Sequence, residues 1–353
     1  MQKQYTSWPL HLWKRFCRRL RKFYRLCKRK NSIHLLKKKT WLRQKCCHIL
    51  RQQGLNYIGK GIVLAAFLNT SNNVQGQPFQ FSGVNQFGLP PINYAYPAFA
   101  DIDADGDMDA IIGEFGGNLQ FLENTGDATT PLFGNMQTNP FGLYQVDSRA
   151  FPEFADMDSD GDVDLFVGTR NYGVVYFENT GSSSIPAFQV TTIPGLSFIG
   201  KPVPATVDID ADGDLDLFIA SFGQFVYVEN TGTTSAPQFD TLQLHPYDLT
   251  PLTYVYNYWV LYNKIEFADI DNDGDFDAFS AGVDYDDNDL IFYFENTGTT
   301  MAPDFMLNGI NPFGLYADGY ALQLSFVDID NDGDQDAFIG AVSYTHLRAH
   351  ETS

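Results

Sequence analysis

The chain has 353 residues, 43 of them Asp or Glu against 23 Lys or Arg, and a net charge of −20. Eighteen of the basic residues lie between Lys3 and Lys60, a stretch with no acidic residue, and only Arg149, Arg170, Lys201, Lys264 and Arg348 follow. The acidic part lacks the cations that bind nucleic-acid phosphates and is suited to collecting cations. All four cysteines (Cys17, Cys27, Cys46 and Cys47) sit in the basic part, so no disulfide holds the acidic part together.

Residues 1–76 read as a leader. The apolar run Gly61 to Leu68 follows Lys60, and a polar stretch then leads to Gly76, the order of a secretory signal with cleavage near Gly76. The run is too short to span a bilayer, so no stable membrane span is expected in the mature chain. The basic region is longer than such leaders need; translation from a non-Met codon near Leu55 would shorten it. A second reading stays open: Leu12, Phe16, Leu20 and Phe23 fall at helical spacing among Lys and Arg, as in a basic amphipathic helix on a membrane or nucleic acid.

From residue 77 to 341 the chain is one array. Pro-x-Phe opens each unit, loosely at Pro78-Phe79-Gln80 and clearly at Pro131-Leu132-Phe133, Pro186-Ala187-Phe188, Pro237-Gln238-Phe239 and Pro303-Asp304-Phe305. Phe-Gly-Leu follows in several units, at Phe87, Phe141 and Phe313. An apolar segment, an Asp-rich loop and a second apolar segment come next, and complete units close on Glu-Asn-Thr-Gly beginning at Glu123, Glu178, Glu229 and Glu295. Short β-branched and aromatic runs punctuated by Gly, Asn and Pro read as strands. A period of roughly 50–60 residues built from them predicts propeller blades. Strand A precedes the Asp loop, B follows it, C is at Leu119 to Leu122 and its equivalents, and D is at Pro-x-Phe. The expectation is an all-β propeller of four complete blades and a fifth that stops after B. Residues 342–353 (Val342-Ser343-Tyr344-Thr345-His346 onward) break the repeat and resemble a translated sequencing adapter; they are set aside, and the natural chain is expected to continue.

The Asp loop is the feature with chemistry. Its pattern, D-x-D-x-D-G-x-x-D with a further Asp at the seventh position, places carboxylates at Asp101, Asp103, Asp105, Asp107 and Asp109. The second copy has Asp156, Asp158, Asp160, Asp162 and Asp164, and the third Asp208, Asp210, Asp212, Asp214 and Asp216. The fourth has Asp269, Asp271, Asp273, Asp275 and Asp277, and the fifth Asp328, Asp330, Asp332, Asp334 and Asp336. Counted from the first Asp, carboxylates fall at positions one, three, five, seven and nine, with Gly at six. Such a density repels itself unless a hard cation intervenes, and Ca2+ takes oxygen ligands of this kind. An EF-hand is excluded because position twelve, which needs Glu, is Ile112, Val167, Ile219, Ser280 or Ile339. A single copy would pass for a polar turn; five in one register do not.

These residues resemble the FG-GAP/VCBS repeat family, whose propellers include the head of integrin α subunits. Phe99-Ala100-Asp101 through Asp107 and Phe177-Glu178-Asn179-Thr180-Gly181 carry the likeness, which spans roughly Pro78 to Ala341. The resemblance implies that the Asp loop joins strands A and B and binds calcium through side chains at positions one, three, five and nine and the carbonyl at seven. Thr206-Val207 in place of Phe-Ala, and Ser280 within an apolar strand, depart from the pattern.

The expected function is a secreted or cell-surface calcium-binding module that engages a protein or glycan. The alternatives are the propeller of a larger secreted enzyme, or a structural repeat of an adhesin. The acidic part shows no cysteine, no nucleophile triad, no phosphate loop and no zinc spacing, and before the tail only His245, so no enzyme is expected. Alternation of strand connections puts A–B at one end of the blades and B–C and D–A at the other. The fourth unit is longest at that other end and carries Tyr254, Tyr256, Tyr258 and Trp259, with Asp284, Asp286, Asp287 and Asp289 in its B–C connection. Tyr256, Tyr258, Trp259, Asp284, Asp286 and Asp287 are the candidate ligand-binding residues, aromatic area beside carboxylates.

Overall fold

The computed structural model describes residues 79–84, 86–92, 94–191, 201–221, 224–239, 242–249, 264–283, 289–315, 323–340 and 348–352. All lie in one compact unit, Ala65–Ser353. The proposed leader, the aromatic run at Tyr254 to Tyr262 and the acidic residues Asp284, Asp286 and Asp287 fall outside the described residues. Among the described residues no helix is long and apolar enough to cross a membrane.

The chain forms a β-propeller of antiparallel four-stranded sheets. After β1 (Phe79–Val84), the first blade comprises β2 (Tyr96–Ala100), β3 (Asp109–Gly113), β4 (Leu119–Leu122) and β5 (Gln137–Thr138). The second has β6 (Phe151–Ala155), β7 (Asp164–Gly168), β8 (Val174–Asn179) and β9 (Phe188–Thr191). The third has β10 (Val203–Val207), β11 (Asp216–Ser221), β12 (Gln224–Val228) and β13 (Gln243–Leu244), and the fourth β14 (Ile265–Ala268), β15 (Asp277–Val283), β16 (Asp289–Asn296) and β17 (Phe305–Ile310). In each, sequence order is spatial order; strand D begins at the Phe of Pro-x-Phe in the second and fourth blades, but in the first and third it lies just beyond, because Phe133 and Phe239 make only isolated bridges to Asn124 and Asn230.

The fifth sheet draws on both ends of the array. Its strands β18 (Gln323–Val327) and β19 (Asp336–Gly340) are completed by β20 (Arg348–Thr352) and by β1 from the start of the array, in the order β18, β19, β20, β1. Residues 348–352, within the segment set aside, pair as its third strand, beside the A and B strands that the fifth repeat itself contributes. The physical reason is that β19 presents an unpaired backbone edge, which any extended segment within reach can satisfy whatever its side chains. Register runs from Ala337 opposite His350 on one side of β20 to Phe79 opposite Thr352 on the other.

The A strands β2, β6, β10, β14 and β18 touch one another in cyclic order, β18 returning to β2. The same closure appears in glycine placement. At the end of a B strand, a Cβ on Gly113 or Gly168 would lie 2.1 or 2.0 Å from the carbonyl oxygen of Ala150 or Pro202 in the next blade. A Cβ on Gly340 would lie 2.1 Å from that of Ala95, so the fifth blade meets the first as the first meets the second. No side chain fits at these three places, which is why each is Gly; the third and fourth blades carry Ala220 and Ala281 at the equivalent position.

Apolar packing lies between blades. Ile112 and Leu122 of the first blade join Phe338 and Ile329 of the fifth, whereas Ile111 and Phe121 face Leu165 and Phe177 of the second. Each B strand is therefore buried on both faces, which explains its unbroken apolar run in place of alternation. The Phe-Gly-Leu turns link blades as well. Phe87 and Phe141 adopt left-handed backbone, and their carbonyls accept from the amides of Phe133 and Phe188 at 2.7 and 2.8 Å. Pro246-Tyr247-Asp248-Leu249 makes the same turn in the fourth unit, with Tyr247 and Asp248 left-handed and the Leu249 amide donating to the Pro246 carbonyl. Sequence reading passed over it because neither Phe nor Gly is present.

Candidate metal centres

Each Asp loop folds on its own carboxylates. The amides of residues five and six donate to the two carboxylate oxygens of residue one, 3.0–3.2 Å in all five loops, as Asp105 and Gly106 do to Asp101. The amide of residue seven donates to residue five, as Asp107 does to Asp105. The tight curl requires left-handed backbone at position four (Ala104, Ser159, Ala211, Asn272 and Asn331) and φ of 93–97° at the position-six glycines. The space around Gly106 is open, so conformation and not crowding fixes Gly there.

This curl brings positions one, three and five together. Asp101, Asp103 and Asp105 offer carboxylate oxygens within 4.8 Å of one another, as do Asp156, Asp158 and Asp160; Asp208, Asp210 and Asp212; Asp269, Asp271 and Asp273; and Asp328, Asp330 and Asp332. Ligands about 2.3–2.6 Å from a Ca2+ stand within roughly 5 Å of each other, so the spacing fits one ion per loop. Hard oxygen donors fit the same class of cation. Asp103 Oδ1, Asp107 Oδ1, Asp162 Oδ1, Asp210 Oδ1, Asp214 Oδ1 and Asp275 Oδ1 are buried and accept no hydrogen bond from the protein, a costly arrangement unless something positive faces them.

The electrostatics agree. Burial first, then the charges of neighbouring loop aspartates, raises Asp103, Asp158, Asp210 and Asp271. The same causes carry Asp107, Asp162, Asp214 and Asp275 to about 6. A cation among them would remove the repulsion.

Position nine stands apart from the three-carboxylate cluster. Asp109, Asp164, Asp216 and Asp277 are buried, and one oxygen of each accepts the amide of the Asn in Glu-Asn-Thr-Gly: Asn124, Asn179, Asn230 and Asn296, at 2.7–2.8 Å. That Asn in turn uses its side-chain oxygen to hold the following turn, as Asn179 does with the amides of Gly181 and Ala187. The second oxygen takes a tyrosine hydroxyl from strand C: Tyr176 on Asp164 at 2.6 Å, Tyr227 on Asp216 at 3.0 Å and Tyr293 on Asp277 at 2.8 Å. In the first blade Phe121 occupies the tyrosine position opposite Ile111, and Asp109 Oδ2 has no hydroxyl partner. Burial raises Asp109, Asp216 and Asp277 to about 7 and Asp164 to about 6, with the Asn amides and tyrosines pulling the other way. The strand-C tyrosines were legible as apolar strand residues; their bond to position nine needs the B–C register.

A second polar group was not legible. Lys264, just before β14, is buried and forms ion pairs with Glu153 of β6, at 3.2 Å, and with Glu266 of β14. Burial alone would pull the Lys264 ammonium down, but the two carboxylates hold it above its usual value. Burial pushes Glu266 up, opposed by Lys264. These residues belong to A strands of the second and fourth blades, so only ring closure unites them.

The model of the FG-GAP-like repeat family matches residues 101–167 and 156–219. No curated protein matches the sequence. Similar solved structures include the catalytic domain of a Coprinopsis cinerea GH62 α-L-arabinofuranosidase, 13% identical, covering 79% of this chain and 98% of that one with a TM-score of 0.52. A structure of an Agrocybe aegerita lectin that recognises non-reducing terminal N-acetylglucosamine is 16% identical, with a TM-score of 0.37, over 73% of this chain and 66% of that one. This chain therefore spans just under two thirds of that lectin. At such identities the likeness is one of fold.

Proposed function

We propose that this chain, whose repeats are FG-GAP-like, is a calcium-stabilised, non-enzymatic binding module, exported from the cell, that engages a protein or glycan. The observation that carries the reading is the carboxylate cluster repeated in five loops, with buried oxygens that lack a protein donor. In each loop, positions one, three and five would hold the ion. The carbonyl at seven and position nine would complete the set, most readily in the first loop, where Asp109 Oδ2 lacks the tyrosine. Calcium bound there pins each A–B hairpin and couples folding to the ion.

Binding is assigned to the opposite end of the blades, where the B–C and D–A connections emerge. The strands flanking Asp284, Asp286 and Asp287, β15 and β16, meet at that end, and β14 begins there after the segment that holds Tyr256, Tyr258 and Trp259. The test is a screen of the full chain, with calcium, against glycans and matrix proteins, read by Trp259 fluorescence. Binding weakened by Trp259→Ala with Asp286→Ala supports these residues; unchanged affinity for a ligand so found removes them. Fractionation of cells expressing the chain with and without residues 1–76 tests export, and retention of the uncleaved chain in the cytoplasm counts against it.

A further inference from the structure

A cavity of about 590 Å³ opens beside the second blade, lined among others by Tyr144, Asp147, Tyr172, Val174, Tyr176 and Val190. Its volume falls within the roughly 300–1,000 Å³ of small-molecule sites. It lies at the end of the blade where B–C and D–A emerge: Tyr172 sits in the turn between β7 and β8, and Tyr144 and Asp147 in the connection leading to β6.

The walls are held in place before any ligand arrives. In the Tyr172 turn, the Thr169 amide donates to the Gly173 carbonyl at 2.8 Å and the Tyr172 amide donates to Thr169 Oγ1 at 3.0 Å. The connection is fastened to the first blade: the Val146 amide donates to the Gly117 carbonyl at 2.9 Å, the Gln145 side chain to the Gly116 carbonyl at 2.8 Å, and the Arg149 amide to the Phe115 carbonyl at 3.0 Å. Tyr144 packs on Phe177, ring centres 5.2 Å apart. Yet Tyr144 is 48% exposed, Tyr172 75% and Val190 48%. Rigid backbone that presents large exposed side chains reduces the ordering cost of binding.

The chemistry of the walls narrows the occupant. Among the described residues Asp147 Oδ2 accepts no hydrogen bond, and Asp147 lines the cavity as its one carboxylate among those residues, an acceptor for a ligand's donor groups. Among the described residues no Lys or Arg lines the cavity, which disfavours phosphate, sulfate or carboxylate ligands. Two tyrosine rings offer apolar faces with polar edges, which match the C–H face of a sugar ring, and its hydroxyls can donate to Asp147. We propose that this cavity binds a neutral saccharide, stacked on Tyr144 and Tyr172 and hydrogen-bonded to Asp147. The assignment deepens the binding-module reading and rests on it.

The test titrates the full chain with methyl glycosides of neutral hexoses, pentoses and N-acetylhexosamines, with a methyl uronate and a proline-rich peptide alongside, by calorimetry and saturation-transfer NMR. Expected are binding of at least one neutral glycoside, a tenfold or greater loss in Tyr172→Ala and in Asp147→Asn, and retention in Tyr172→Phe. Circular dichroism of each variant establishes that it folds. Tyr172 is exposed at a turn, so its replacement leaves the fold intact. A glycoside that binds Tyr172→Ala and the parent equally overturns this site but leaves the module reading in place. Preference for the uronate or the peptide, or no glycoside binding, also overturns the saccharide assignment. Failure to bind any glycan or matrix protein in the wider screen would overturn the module reading itself.

Discussion

Replacing Lys264 by Met probes whether blades two and four are locked through the buried ion group. The substitution keeps volume but leaves Glu153 and Glu266 facing each other without a cation. Removing one partner of a buried ion pair costs about 3–5 kcal/mol, and in a fold of this size each kcal/mol shifts the melting temperature by roughly 2–4 °C. A fall on the order of 6–20 °C is expected at pH 8. The pH dependence gives the sign. Glu266 is already raised by burial, and Lys264 is what pulls it down, so the variant holds the proton on Glu266 more tightly. A carboxyl raised on folding contributes stability in full below its unfolded pKa and loses it as pH rises through the folded value. The penalty should therefore shrink at pH 5. Circular dichroism melts of both proteins at the two pH values decide the matter. Adding Glu153→Gln and Glu266→Gln to Lys264→Met should restore most of the loss. A variant that melts within a degree of the parent at pH 8, or one penalised more at pH 5 than at pH 8, would refute the argument.

Tyr176→Phe removes the hydroxyl on Asp164 and should lower stability by about 1.5–3 kcal/mol, the usual worth of a hydrogen bond to a charged group. Phe121→Tyr should raise it by supplying Asp109 with the missing partner; paired urea titrations read both. Gly161→Ala places a Cβ at φ 94° and should cost about 1–2 kcal/mol and weaken calcium binding at the second loop, visible by calorimetry. Without calcium, the raised carboxyls at positions seven and nine, about 6 to 7, contribute stability below pH 4 that is lost as pH rises through those values. The metal-free protein should thus melt higher at pH 5 than at pH 7.5. The gain from added calcium should grow over the same interval, since the ion needs the deprotonated loops.

The sequence carried the local structure well. The Asp loops and the apolar B strands are visible because each depends on neighbours within about ten residues, whereas Pro-x-Phe marks strand D only in the second and fourth blades. Gly106 and its counterparts announce the left-handed turn, and Asn179 the closing turn. What depends on ring closure was not visible: β20 and β1 completing the fifth blade, and Lys264 reaching Glu153 more than a hundred positions away. The Tyr176–Asp164 bond was hidden for a related reason, because twelve residues and a B–C register separate the pair. Pro246-Tyr247-Asp248-Leu249 was hidden by chemistry, since Asp can hold the left-handed backbone that the other turns give to Gly. A search for Pro followed two positions later by Gly, Asn or Asp and then Leu would have found it.

The most direct measurement is a calorimetric calcium titration of the chelator-stripped full chain, repeated on Asp158→Ala and joined to melts with and without the ion. Five carboxylate clusters predict about five ions per chain, one fewer in the variant, and a melting temperature that climbs with calcium concentration. No heat of binding and an unchanged melt would contradict the account.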